Sequence, residues 1–78
     1  MRMRVHLGGH LAFYGAGRKS WVELTLAEPQ VLDQVIARLG IPRAEIAIAA
    51  VNGEAVDLGT AVVLDTDELQ LYPPMDGG

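Results

Sequence analysis

Apolar and polar residues alternate from the first position: Met1, Met3, Val5 and Leu7 are interleaved with Arg2, Arg4 and His6. A period of two sends successive side chains to opposite faces, so this stretch predicts a strand with one face on a core and one in solvent. Gly8 and Gly9 end it. Residues 8–20 read as a long connection, with Leu11, Phe13 and Tyr14 as its anchors and Gly15 and Gly17 as a turn. Alternation resumes where Val22, Leu24 and Leu26 face Trp21, Glu23 and Thr25, which predicts a second strand.

The period then lengthens. Pro29 is expected to open a helix at a position where its missing N–H does no harm. Val31, Leu32, Val35, Ile36 and Leu39 recur at helical spacing along one face. Gly40 supplies the left-handed residue that closes the helix, Ile41 folds back on it, and Pro42 forbids continuation.

Residues 46–51 form an unbroken apolar run of small and β-branched residues, which predicts a central strand with both faces at least partly covered. Asn52-Gly53 is a strong hairpin signal, because both central residues of the tightest hairpin turn need positive φ. A short strand around Glu54–Val56 returns from it. Asp65-Thr66-Asp67 makes a further turn, and Leu69 and Leu71 carry a last strand straight into Pro73-Pro74. The order β-β-α-β-β-β describes an α+β domain, a mixed sheet with one main helix across it. One helix covers one sheet face, so the other meets solvent or a partner. By parity with their strand neighbours, Arg2, Arg4, Trp21, Glu23 and Tyr72 belong on that outer face.

Composition narrows the function classes. The 78 residues suit one small domain, and half are apolar, which favours a packed globule over disorder. The absence of cysteine removes disulfides, thiolate metal sites, iron–sulfur clusters and cysteine nucleophiles, and fits a reducing, cytoplasmic setting. The alternating start leads into no apolar run, so no signal peptide is expected, and no stretch nears the roughly 20 apolar residues of a membrane span. A net charge of −4 disfavours nucleic acid and suits a partner with a basic docking surface, although mild acidity also serves solubility alone.

Three apparent chemical motifs fail. Residues 15–20 are superficially like a phosphate-binding loop, but Arg18 stands where that motif needs Gly before Lys-Ser. His6 and His10 fall on a strand and its exit loop, with no Cys, Asp or Glu nearby in sequence to complete a metal set. Ser20 and Thr60 have no evident base. The domain is therefore expected not to be an enzyme by itself.

The segments Val51-Asn52-Gly53-Glu54, Asp65-x-Asp67-Glu68-Leu69 and Tyr72-Pro73-Pro74-x-x-Gly77-Gly78 resemble the ubiquitin-like sulfur carriers of the MoaD/ThiS family. The resemblance runs through the whole element order and is sharpest over residues 51–78, whose Pro-Pro-x-x-Gly-Gly ending is similar to the molybdopterin synthase small subunit type. It implies a ubiquitin-like β-grasp domain over residues 1–72 and a C-terminal tail over 73–78. Two positions depart from the family pattern: Thr66 stands where Gly is frequent, and Asp76 where a small uncharged residue is more usual.

The resemblance also implies the chemistry. The functional group would be the carboxylate of Gly78, adenylated by an E1-like adenylyltransferase that supplies the ATP site and magnesium. A sulfurtransferase or other sulfur donor would then displace AMP and leave a thiocarboxylate, with the large subunit of molybdopterin synthase among the acceptors. The domain itself would bind no cofactor. Gly77 and Gly78, without Cβ atoms, suit a narrow tunnel. Pro73 and Pro74 stiffen the exit from the sheet, Met75 and Asp76 bridge to the glycines, and Tyr72 is a docking aromatic at the root. Two alternatives keep the same sequence: a ubiquitin-like modifier joined to lysines through Gly78, and a β-grasp interaction module with an inert tail.

Overall fold

The computed structural model describes residues 2–74; Met1 and four site candidates, Met75, Asp76, Gly77 and Gly78, lie outside the described residues. The first alternation becomes β1 (Met3–Leu7), with Met3, Val5 and Leu7 buried and Arg4 exposed. β2 (Trp21–Leu24) pairs antiparallel with it, Val5 opposite Val22. The last strand of the sequence reading is β7 (Glu68–Tyr72), which lies parallel to β1 on one side. On its other side it is antiparallel to β4 (Ile48–Val51), which also carries β5 (Glu54–Val56). The sheet order β2-β1-β7-β4-β5 and the single main helix form the mixed sheet and α+β architecture of a ubiquitin-like β-grasp.

The helix α1 (Leu32–Leu39) buries Leu32, Val35 and Ile36 against Met3, Val5, Leu7, Leu69 and Leu71 in one cluster. Its end follows the sequence reading closely. Gly40 has φ 75°, its N–H donates to the Ala37 carbonyl at 3.1 Å, and Ile41 N–H reaches back to the Ile36 carbonyl at 3.3 Å. Those paired bonds satisfy two carbonyls that the helix leaves open, while Ile41 and Ile36 close over them in the core.

The start of the helix differs from expectation. Pro29 does not open it: Gln30 and Val31 form β3 (Gln30–Val31), antiparallel to β6 (Val62–Val63), and Val31 is the extended residue before the first turn. The reason is where the partners are. Leu32 N–H donates to the Ala61 carbonyl at 2.8 Å and Asp33 N–H to the Leu58 carbonyl at 3.0 Å, so the first orphan donors are met by the 58–61 segment. Tertiary hydrogen bonds fix the boundary, so the helix begins at Leu32 and not at Pro29, where proline chemistry favours it. The two-residue β6 carries no periodicity and gave no signal.

The connection after β1 also differs. Of its three expected anchors only Leu11 is buried; Phe13 is 66% exposed and Tyr14 37%. Residues Gly9–Tyr14 form a 3-10 turn, in which about three residues complete each turn and adjacent side chains cannot all face inward. Leu11 takes the inward direction.

Asn52 and Gly53 take φ 54° and 86°, as the hairpin signal requires. Asn52 does more than turn the chain. Its Nδ2 donates to Asp67 Oδ1 at 2.9 Å, its Oδ1 accepts from Glu68 N–H at 2.9 Å, and Asp67 Oδ2 accepts from Leu64 N–H at 2.8 Å. The β4–β5 turn is thereby tied to the turn that delivers β7. Replacing Asn52 by Ala should cost about 1–3 kcal/mol, from lost hydrogen bonds plus the left-handed backbone. Asn52→Gly keeps the backbone freedom and should cost less. Urea unfolding of both variants separates the two contributions; equal losses would show that the backbone conformation is not the issue.

Candidate functional site

Tyr72, Pro73 and Pro74 leave the sheet from its middle strand. Beyond the ladder, the backbone is still gripped from both sides: Gly8 N–H donates to the Leu71 carbonyl at 2.8 Å, and Ala47 N–H to the Tyr72 carbonyl at 2.9 Å. The glycines that end β1 also make room for this exit. A Cβ on Gly8 would stand 2.7 Å from Tyr72 Cδ1, and one on Gly9, where φ is 53°, 2.9 Å from Pro73 Cγ. The Gly8-Gly9 pair was visible in the sequence as a strand terminator; its second role, as the bed of the C-terminal arm, depends on a contact between opposite ends of the chain.

Ile48, opposite Tyr72 in the ladder and 54% exposed, joins Tyr72, Pro73 and Pro74 in lining an open apolar hollow of about 400 Å³. Along the sheet the aromatic surface continues. The His6 ring lies 4.7 Å from that of Trp21 and 6.0 Å from that of Tyr72, and the Arg4 guanidinium sits 4.4 Å from the centre of Trp21. The expected outer-face set holds: Arg2 pairs with Glu23 at 3.2 Å, Arg4 approaches Glu68 at 3.6 Å, Trp21 is exposed, and Tyr72 is half-buried. His6 and Ile48 also belong to that face and were missed as members. His6 Nδ1 is sheltered there without a hydrogen-bond partner among the described residues.

The structure thus brings Tyr72, Pro73 and Pro74 together with Ile48 and the Gly8-Gly9 bed. Gly77 and Gly78, the core of the expected site, are beyond the described residues, as are Met75 and Asp76. Among the described residues no three His, Cys, Asp or Glu side chains gather to hold a metal, and no helix is long and apolar enough to cross a membrane.

His10 has a different partner from any in its sequence neighbourhood. Glu45, in the 3-10 turn Arg43–Glu45, accepts from the Tyr14 hydroxyl on one oxygen, and its other oxygen lies 3.0 Å from His10 Nε2. The Tyr14 hydroxyl bond, assisted by His10, holds the Glu45 carboxyl below its ordinary range. The same bond, with desolvation and the carboxylate charge, raises the Tyr14 phenol. Both segments in this clasp flank the arm, since Gly9 begins one and Ala47 follows the other.

The family model described as Mut7-C ubiquitin matches residues 7–77, from the end of β1 to the penultimate glycine. The chain belongs to this ubiquitin-like family. No curated protein matches the sequence. The matched description names ubiquitin and not the MoaD/ThiS carriers, so the ubiquitin-like part of the resemblance is the part it shares. In this ubiquitin-like domain the central strand, the Gly8-Gly9 bed and the Glu45 clasp all converge on the root of the arm.

Two outcomes follow from this geometry. Gly8→Ala should destabilise the domain by about 1–3 kcal/mol through overpacking, and should perturb the Tyr72 ring before the rest of the core, as read by NMR shifts and chemical unfolding. Glu45, with its folded pKa depressed, contributes stability above its ordinary, unfolded pKa of 4.5 that is lost as pH falls through the lower folded value. Tyr14, with its pKa raised, contributes stability below 10.0 that is lost as pH rises through the higher folded value. Glu45→Gln should therefore bring the phenolate absorbance titration of Tyr14 down toward 10.0. An unchanged titration would mean that the clasp does not form in solution.

Proposed function

We propose that this ubiquitin-like domain is a sulfur carrier that works through the carboxylate of Gly78. The observation that carries the reading is the exit of the arm. A strand paired on both sides runs directly into Pro73-Pro74, against a glycine bed and beside an exposed apolar hollow, and the sequence then reaches Gly77-Gly78 within four residues of Pro74. A domain that hands one chain end to another protein's active site needs these parts: a rigid root, an apolar surface beside it, and a terminus without side chains.

The chemistry begins from a carboxylate, whose direct displacement would have to expel oxide. One carboxylate oxygen of Gly78 attacks the α-phosphorus of ATP, expelling pyrophosphate and forming an acyl-adenylate. An E1-like adenylyltransferase supplies the nucleotide site and magnesium. Hydrosulfide attacking the acyl carbon expels AMP and leaves the thiocarboxylate directly. A sulfurtransferase persulfide expels AMP to leave an acyl disulfide, which a second thiol cleaves, releasing the thiocarboxylate and forming a disulfide with the sulfurtransferase cysteine. The acceptor in the favoured version is the large subunit of molybdopterin synthase, in molybdenum or tungsten cofactor formation, with the apolar hollow and tail seated against it. Asp76 adds a negative charge beside the reacting end, so the matching activating enzyme is expected to carry a compensating cation there.

The experiment combines the protein with ATP, magnesium, a sulfide source and its genomically paired activating enzyme, followed by intact mass after thiol alkylation. Alkylation is needed because exchange of sulfur for oxygen has nearly the mass change of methionine oxidation, and the chain has three methionines. An alkylated product that is lost on deletion of Gly78 is expected; its absence sinks the carrier reading. Lysine-linked adducts in extract that need Gly78 would instead identify a protein modifier. Intact mass of the protein from its source tests the requirement that Gly78 carries the free carboxylate.

A further inference from the structure

The connection between β1 and β2 ends in two exposed cations, Arg18 and Lys19. Arg2 and Arg4 approach Glu23 and Glu68, Arg43 pairs with Asp33 at 3.2 Å, and Arg38 donates to the Thr25 carbonyl. Arg18 and Lys19 differ: among the described residues neither has a carboxylate beside it. They are adjacent, exposed, and belong to a chain whose net charge is −4. The Arg18 guanidinium lies 5.5 Å from the ring centre of Phe13, the most exposed of the large apolar side chains at 66%. Arg18 and the Phe13 ring thus form one knob, and Lys19 is the next residue in the chain.

The backbone under the knob is fixed at three points. Leu11 is fully buried in the core. Gly15 fits so closely that a Cβ there would stand 2.6 Å from the Lys19 carbonyl oxygen and 3.0 Å from Leu7 Cδ1. His10 and Tyr14 are held by Glu45. Arg18 itself is left-handed, with φ 58°, directly after Gly17 at 70°. A non-glycine residue adopts that conformation at an energetic cost, and such costs gather where a side chain is being aimed.

We propose that Phe13, Arg18 and Lys19 form a docking surface for an acidic peptide segment of a partner protein, with carboxylates on the two cations and an apolar side chain against Phe13. Charge complementarity selects the occupant. Two cations match a short acidic run, whereas an extended polyanion would continue from the knob onto a net negative surface and be repelled. Fixing the loop beforehand reduces the entropy lost on docking. This surface is separate from the carrier reading and does not depend on Gly78.

The test titrates the full-length, 15N-labelled chain with a synthetic peptide of alternating glutamate and leucine. Saturable shift changes centred on residues 12–20 are expected, weakening as salt rises from about 0.05 M to about 0.5 M because the charges are exposed. The double variant R18E/K19E should lose at least about tenfold in affinity, and F13A about threefold. If the charge reversal disturbs folding, the neutral pair R18Q/K19Q serves in its place. A chain lacking Gly78 should bind the peptide as well as the intact one, whatever becomes of sulfur transfer. Unchanged affinity in both double variants, or shifts confined to the Trp21–His6–Tyr72 face, overturns the proposal. So does binding of short single-stranded DNA or of phosphatidylserine vesicles in place of the peptide.

Discussion

The parallel pairing of β7 with β1 is the constraint on which the rest of this domain depends. It places Leu69 beside Val5 and Leu71 beside Leu7, so the innermost part of the core is assembled from opposite ends of the described chain. Parallel neighbours cannot be joined by a tight turn, and here the crossover contains the helix and five further strands. With β4 on its other flank, β7 is paired along both edges, and the helix covers its inner face. A chain segment held this firmly has a fixed exit direction. The rigidity of the arm's root is therefore a property of the whole sheet and not of Pro73-Pro74 alone.

The surface around that exit is built from residues whose simple roles in the sequence conceal a second one. Gly8 and Gly9 end a strand and also yield space to Tyr72 and Pro73. Asn52 turns a hairpin and also binds the Asp67 turn. Two of the three motifs that carried the resemblance, Val51-Asn52-Gly53-Glu54 and Asp65-x-Asp67-Glu68-Leu69, meet in space through that side chain. Their common occurrence in one chain has a physical reason: one turn organises the other, and together they set the register of β7.

Periodicity made most of the fold legible. The inward residues of β1 and β7, the apolar face of α1, the Gly40 cap and the Asn52-Gly53 turn each rest on short-range patterns, and the structure has all of them. The failures share another cause. Pro29 lost the helix start because carbonyls of residues 58 and 61 were waiting at Leu32 and Asp33. Phe13 and Tyr14 looked like anchors because aromatic residues usually bury, yet a 3-10 turn with Leu11 already inside leaves them outward. The partnership of His10 with Glu45 joins residues 35 apart, and no local pattern reports it. Of the candidate site, the sequence made Tyr72 and the proline arm legible, while Ile48, His6 and the glycine bed became members only through cross-strand register.

The central place of β7 also has a meaning for how the protein is made. Val5 has no strand on its second edge until Leu69 has been synthesised, so the N-terminal hairpin waits at the ribosome with its core face incomplete. Pairings so distant in sequence close large loops and form late. The sheet cannot close before Glu68–Tyr72 has emerged to pair with β1. A nascent chain therefore cannot complete its sheet ahead of Glu68–Tyr72, and a product truncated before that strand lacks the segment that closes the core.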